Sequence, residues 1–185
     1  MHDLQEAGGT AIAGTSRRYG LWAVLLGLGG FALDWTTKEW VLRNLDPAEG
    51  VQVIPGQLYL RLIRNPGAAF SMGENFTVVL SMIALVALGF VSVWLVPRVR
   101  HAGWAVASGL LLAGITGNLT DRLVREPGPL HGHVIDFLQV PYFAIFNVAD
   151  ICITFAAIAI IWLTAVRQVG VDGRSTRETP AKADA

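Results

Sequence analysis

Asp136 and Asp150 are the residues of this 185-residue chain whose type and setting most demand a chemical explanation. Asp136 stands in His133-Val-Ile-Asp136-Phe and Asp150 in Phe146-Asn147-Val-Ala-Asp150, at the edge of a strongly apolar segment. A carboxylate at membrane depth costs roughly 2.5–3.5 kcal/mol on the insertion scale, so it needs a partner or a task. Two carboxyls that meet where the dielectric is low cannot both ionise cheaply; one keeps a proton and the pair titrates as a unit. The charged member can then act as general base on a water while the protonated one donates to a carbonyl oxygen, which is aspartic-protease chemistry. No Ser/His/Asp or Cys/His arrangement offers a competing nucleophile, and the single cysteine, Cys152, reads as a small buried hydrophobe.

Further polar residues interrupt apolar sequence. Asp34 and Lys38 are four apart in the favourable acid-before-base order, which predicts an ion pair at the outer end of a helix with Lys38 snorkelling to the interface. Asn118, Asp121 and Arg122 fall at i, i+3 and i+4 on one helix face, with Asp121 and Arg122 diverging enough to take separate partners. They form a structural polar knot, or else Asn118 and Arg122 touch a substrate, since guanidinium suits a backbone carbonyl or an anion. Asn147 lies three residues before Asp150, where it bonds a neighbouring helix or serves a carboxylate or a substrate amide. His131-x-His133-x-x-Asp136 contains metal-ligand types, but the His-Glu-x-x-His pattern is absent and solvated loop histidines are expected, so neither a metal nor a cofactor is predicted.

The elements that must position these groups follow from hydropathy. The chain is 53% hydrophobic and only 15% charged, against about 25% charged in soluble domains, so lipid is its expected solvent. Apolar stretches run over about 19–33 (continuing as a helical pattern to about 42), 76–96, 103–115 and 142–166. The third is short and must borrow Gly117 and Asn118; the last would place Asp150 about two turns inside its segment. With about 20 residues needed per crossing, the prediction is a membrane α-helical protein of four transmembrane helices. Basic residues before the first stretch (Arg17, Arg18), between the second and third (Arg98, Arg100) and after the fourth (Arg167, Arg174, Arg177, Lys182) put both termini in the cytoplasm. A domain over 19–166 is then flanked by disordered cytoplasmic tails at 1–18 and 167–185, with outer loops at about 43–75 and 119–141. Within the first loop, Val51, Val53, Leu58, Leu60 and Leu62 recur at period two around Pro55-Gly56, which predicts a small extracytoplasmic β-hairpin with one greasy face. That face packs on its own helices or lies on the membrane surface. A formal net charge of zero gives no sign of a nucleic-acid partner, and nothing demands a second chain, so a monomer is expected.

Intramembrane Asp and Asn also suit a proton-coupled transporter or channel, but here the carboxylates gather at one boundary and no two-half inverted repeat is visible. A structural scaffold, in which every polar residue is a packing device, is the third reading.

Five blocks carry a resemblance: Asp34-x-x-x-Lys38, Asn65-Pro-Gly-Ala-Ala-Phe70, Gly117-Asn118-x-x-Asp121-Arg122, Val134-Ile-Asp136-Phe137 and Phe146-Asn147-x-Ala149-Asp150. Over about residues 20–166 the chain resembles the lipoprotein signal peptidases (signal peptidase II). The resemblance implies an aspartic endopeptidase of the bacterial plasma membrane that removes signal peptides from diacylglyceryl-modified prolipoproteins, just before the lipidated cysteine. It implies catalytic roles for Asp136 and Asp150, substrate contact by Asn65, Asn118, Arg122 and Asn147, and polar support from Asp34, Lys38 and Asp121. The hairpin resembles the family's β-cradle, and the implied partners are the lipid-modified prolipoprotein and membrane lipid. Two departures stand out: Ala113-Gly114-Ile115-Thr116 carries a polar Thr116 where the family often has Gly-Gly-Ala-x, and 125–130 looks like an insertion that bulges outward.

Overall fold

The computed structural model describes residues 11–67 and 74–177, with side chains from 18 to 67 and 76 to 177. Ala68, Ala69 and Phe70 of the Asn-Pro-Gly block, the tail residues 1–10 and 178–185, and Lys182 among them, lie outside the described residues. Four long helices and three strands follow in the order α1 (Ala11–Asn44), β1 (Val51–Ile54), β2 (Leu58–Asn65), α2 (Glu74–Gly89), α3 (Ala102–Val124), β3 (Val134–Gln139) and α4 (Val148–Ile161). α2 continues through a π-helical segment, Phe90–Leu95, and a 3-10 turn, Val96–Arg98; α4 continues through a π-helical segment, Trp162–Val166.

Among the described residues, three helices are long and apolar enough to cross a membrane: Phe76–Arg98, Ala102–Val124 and Val148–Val166. A helix satisfies its own backbone hydrogen bonds, which is why apolar runs of this length take that form in lipid. Their outward faces display Val86, Val93, Phe155 and Ile161, as α1 displays Leu21, Trp22, Leu25 and Leu28. α3 is the enclosed one, packed between α1 and α4. Small residues make this possible: a Cβ on Gly117 would stand 2.5 Å from Oδ2 of Asp34 on α1 and 3.0 Å from Cβ of Ala149 on α4. The third apolar stretch therefore does more than borrow Gly117 and Asn118. Its helix runs to Val124 and carries Asn118, Asp121 and Arg122 in its last two turns.

The predicted hairpin forms, with Val51 opposite Leu60 and Gln52 opposite Tyr59. A third strand joins it: β3 pairs antiparallel with β2, placing Ile63 opposite Asp136 and Asn65 opposite Val134, in sheet order β1-β2-β3. Alternation along β3 turns Ile135 and Phe137 into a buried cluster with Leu62 and Val41 of α1, and Asp136 to the other side. Of the two expectations for the greasy face, Leu62 packs on the protein's own helix while Val51, Val53 and Ile54 stay exposed.

α4 starts later than the apolar run suggests. Asn147 is its N-cap and Asp150 its third residue, joined in a reciprocal capping box, so Asp150 occupies the first turn and is not two turns deep. Residues 142–146 precede the helix, with Tyr142 and Phe143 exposed and Phe146 bridged to Leu138 of β3. Two tail expectations also change in extent. α1 begins at Ala11, and 168–176 folds back in a turn that bridges Val169 to Ser175.

Candidate active site

The site lies where the sheet meets α1, α3 and α4, and its foundation is charged. Lys38 is fully buried, so the snorkelling expected of it does not occur. Its ammonium stands 2.7 Å from Asp34 Oδ2, 2.8 Å from Asp121 Oδ2 and 3.2 Å from Asn118 Oδ1. Those three acceptors match its three donors. Asp34 also accepts from the Ala149 N–H at 2.8 Å, which ties α1 to the first turn of α4. Asp121 accepts from the Ile135 N–H at 3.3 Å and pairs through its other oxygen with Arg125. Arg125 reaches Glu39 at 3.1 Å and lies over the Trp35 ring, 5.0 Å from its centroid. Buried charges persist only when paired and hydrogen-bonded, and here each acid has a cation within reach.

Above this layer, each carboxylate oxygen of the two aspartates accepts a hydrogen bond. Asp136 Oδ2 receives Asn65 Nδ2 at 2.8 Å and its Oδ1 receives Asn147 Nδ2 at 2.6 Å. Asp150 Oδ1 receives Asn118 Nδ2 at 2.8 Å and its Oδ2 receives the Asn147 N–H at 3.1 Å. Asn147 thus holds both acids, and its Nδ2 lies 3.1 Å from Asn118 Oδ1 as well. Each amide is turned the right way by a separate device. Asn65 gives its oxygen to the Gly67 N–H at 2.8 Å, Asn118 gives its oxygen to Lys38, and Asn147 gives its oxygen to the Asp150 N–H at 3.0 Å. The first device requires Gly67, whose φ of +98° suits a residue without Cβ.

Asp136 is 3% exposed. Burial is the largest influence on its carboxyl and pushes its pKa up to about 6; the nearby charge of Asp150 adds to this, while hydrogen bonds from Asn65 and Asn147 and the charge of Lys38 oppose it. Arg122 diverges from Asp121 as expected: its Nη1 is buried without a hydrogen-bond partner, within about 4 Å of where a Gly67 Cβ would stand. Asp136, Asp150, Asn65, Asn118 and Asn147 therefore converge, Asp34, Lys38 and Asp121 lie directly beneath, and Arg122 borders the group. His131 is exposed in the 125–133 loop, its ring nitrogen near the Pro129 carbonyl.

Four supporting residues escape the sequence reading. Thr77 donates to the Pro66 carbonyl and Ser81 lies 2.7 Å from the Leu130 carbonyl, so α2 holds both outer loops from one side. Both are fully buried, and a pair of hydroxyls four apart in an apolar span was the available signal. Glu39 and Arg125 complete the ion network; Arg125 follows Asp121 by four residues, the spacing that marks a helix pair. Through Arg125 and Leu130 the 125–130 segment is anchored to the site's supports.

A helical membrane protein with an extramembrane sheet and an amide-clamped pair of acids at the junction is the class that this fold and site define. Residues 26–166 match the family model for signal peptidase (SPase) II. The lipoprotein signal peptidase of Leifsonia xyli subsp. xyli is 47% identical over 152 residues, 82% of this chain and 69% of that protein. That of Mycolicibacterium smegmatis is 43% identical over 133 residues, 71% of this chain and 56% of the longer relative. A solved structure described as a bacterial membrane enzyme superposes with a TM-score of 0.64 at 26% identity, covering 85% of this chain and 93% of that one. The chain belongs to the signal peptidase II family, and is a membrane protease.

Proposed function

We propose that this protein is an aspartic endopeptidase that cuts diacylglyceryl-modified prolipoproteins just before the lipidated cysteine, with Asp136 and Asp150 activating one water. The observation that carries the reading is Asn147, whose single side chain and N–H hold both acids together. Asp136, with its pKa raised to about 6, keeps the shared proton. Asp150 takes a proton from water as the water oxygen bonds to the scissile carbonyl carbon, and Asp136 gives its proton to the carbonyl oxygen. Collapse of the resulting diol breaks the C–N bond, the leaving nitrogen receives the proton held by Asp150, and the diol returns one to Asp136. The unpartnered Arg122 Nη1 and the Asn65 turn are placed to receive the substrate backbone.

α1 is the fourth span, both termini are cytoplasmic, and the sheet faces outward at the bacterial plasma membrane, as the basic residues at the far helix ends favour. The protein acts as a monomer on a substrate held in lipid. Cleavage of a lipobox peptide bearing a diacylglyceryl cysteine, assayed in detergent, tests the mechanism. Asp136→Asn and Asp150→Asn, each folded, should both abolish turnover, and a chelator should leave the wild-type rate unchanged. Turnover surviving in either variant removes the two-aspartate mechanism.

A further inference from the structure

The end of the spans remote from the aspartates holds a second feature. α4 and its extension run from Val148 to Val166, so this end lies about 25 Å from Asp150 at 1.5 Å per residue. There the turn after α2 and the fold-back after α4 frame an open-sided cavity of about 670 Å³, lined by Pro97, Arg98, Arg100, Val171, Asp172 and Arg174. Its walls are fixed by hydrogen bonds to backbone carbonyls: Arg100 N–H donates to that of Val171 at 2.9 Å, Gly170 N–H to that of Arg174 at 2.8 Å, and the Trp104 side-chain Nε1 to that of Val169 at 2.9 Å. A tail serving only as a leash has no need of these bonds.

The cavity's charge is unbalanced. Arg98, Arg100, Arg167, Arg174 and Arg177 gather at this end, against Asp172 as the acid among the described residues of 97–101 and 167–177. Asp172 pairs with Arg174 at 3.5 Å. Arg98 is braced over the Trp94 ring, 4.8 Å from its centroid, and Arg167 over Trp162 at 5.2 Å. Arg100 has no acidic partner among the described residues. Tryptophan and arginine at the ends of apolar helices sit at headgroup depth.

We propose that this arginine-lined cavity binds the phosphate of an anionic phospholipid headgroup, with Arg98, Arg100 and Arg174 as its ligands. Guanidinium suits phosphate oxygens geometrically, and basic pockets between helix ends are a known form of headgroup recognition. Free phosphate shares the chemistry, but the position of the cavity at the end of three apolar spans favours a phosphate tethered in the bilayer.

The test uses the full chain in neutral detergent, with phosphatidylglycerol, phosphatidylcholine and inorganic phosphate as probes and binding read by native mass spectrometry and by the shift in melting temperature. Phosphatidylglycerol should bind and raise the melting temperature, and phosphatidylcholine should not. With each arginine near the surface worth about fivefold, the triple variant R98Q/R100Q/R174Q should lose on the order of a hundredfold in affinity. Peptide cleavage in neutral micelles should be unchanged in that variant, since none of the three approaches the aspartates. Equal lipid binding by wild type and variant overturns the proposal, as does saturation by inorganic phosphate with no further gain from the lipid. Should the triple variant fail to fold, Arg100→Gln and a salt titration of the wild type decide: binding indifferent to both overturns it.

Discussion

The ammonium of Lys38 stands 3.2 Å from Oδ1 of Asn118, and that contact decides which way round the amide lies. Ammonium has no acceptor, so only the oxygen of Asn118 can face it, and the NH2 must then point to Asp150, 2.8 Å away. A buried cation bonded to neither Asp136 nor Asp150 thus sets a hydrogen bond to one of them.

Removing that cation should be severe. Lys38→Met leaves Asp34 and Asp121 buried without their shared counter-charge, and a loss of about 3–5 kcal/mol is expected from breaking a buried pair on one side. Lys38→Arg should not restore it, because three acceptors close around a compact ammonium do not fit a planar fork. Thermal unfolding in detergent reads both, and a near-normal melting temperature for Lys38→Met would contradict the arrangement.

Close approach at Gly117 makes a second expectation. Gly117→Ala should destabilise by about 1–3 kcal/mol, since the new methyl meets Asp34 and Ala149. Gly29→Ala, with nothing within 4 Å of its Cβ position, should be neutral or stabilising by up to about 1 kcal/mol. Equal melting temperatures for the two variants would remove the packing argument.

Cleavage should depend on the proton held by Asp136. With its carboxyl at about 6, kcat/KM should decline above pH 6, tending towards tenfold per pH unit. Substrate that excludes water disfavours the charged form further, so the kcat inflection should lie at higher pH than that of kcat/KM. A rate profile flat from acid to strongly alkaline pH would count against the shared proton.

Stability should carry the same signature. Below about pH 4 both folded and unfolded chains hold the Asp136 proton; between its ordinary 3.8 and about 6 only the folded chain keeps it, so stability falls as pH rises. Above pH 6 the deficit is complete, about 3 kcal/mol for this shift. Asp136→Asn has no proton to lose, so its melting temperature in detergent should gain on that of the wild type between pH 4 and pH 7. Parallel curves would show the carboxyl to be solvated.

The converging residues were legible in the sequence because polar groups in apolar surroundings are conspicuous, and because Asn118, Asp121 and Arg122 keep helical spacing. The position of Lys38 was not: snorkelling and burial differ only in whether Asp121 arrives from another helix, and local spacing with Asp34 is the same in both. β3 was missed as a strand because Val134–Gln139 is buried on both faces for most of its length, so the alternation that revealed β1 and β2 is absent. The start of α4 was misread for a related reason. Tyr142, Phe143 and Phe146 extend the greasy run back past the cap, and hydropathy alone cannot see that the helix opens at Asn147.

The buried position of Lys38 also bears on how the chain is made. As α1 leaves the ribosome, Lys38 has Asp34 beside it, but Asn118 and Asp121 are not yet synthesised. The first helix is therefore made with an ammonium missing two of its three final contacts, and the third helix supplies them. Until α3 has been made, the polar seam of α1 therefore stays unfinished, with Asp34 as the one partner of its ammonium.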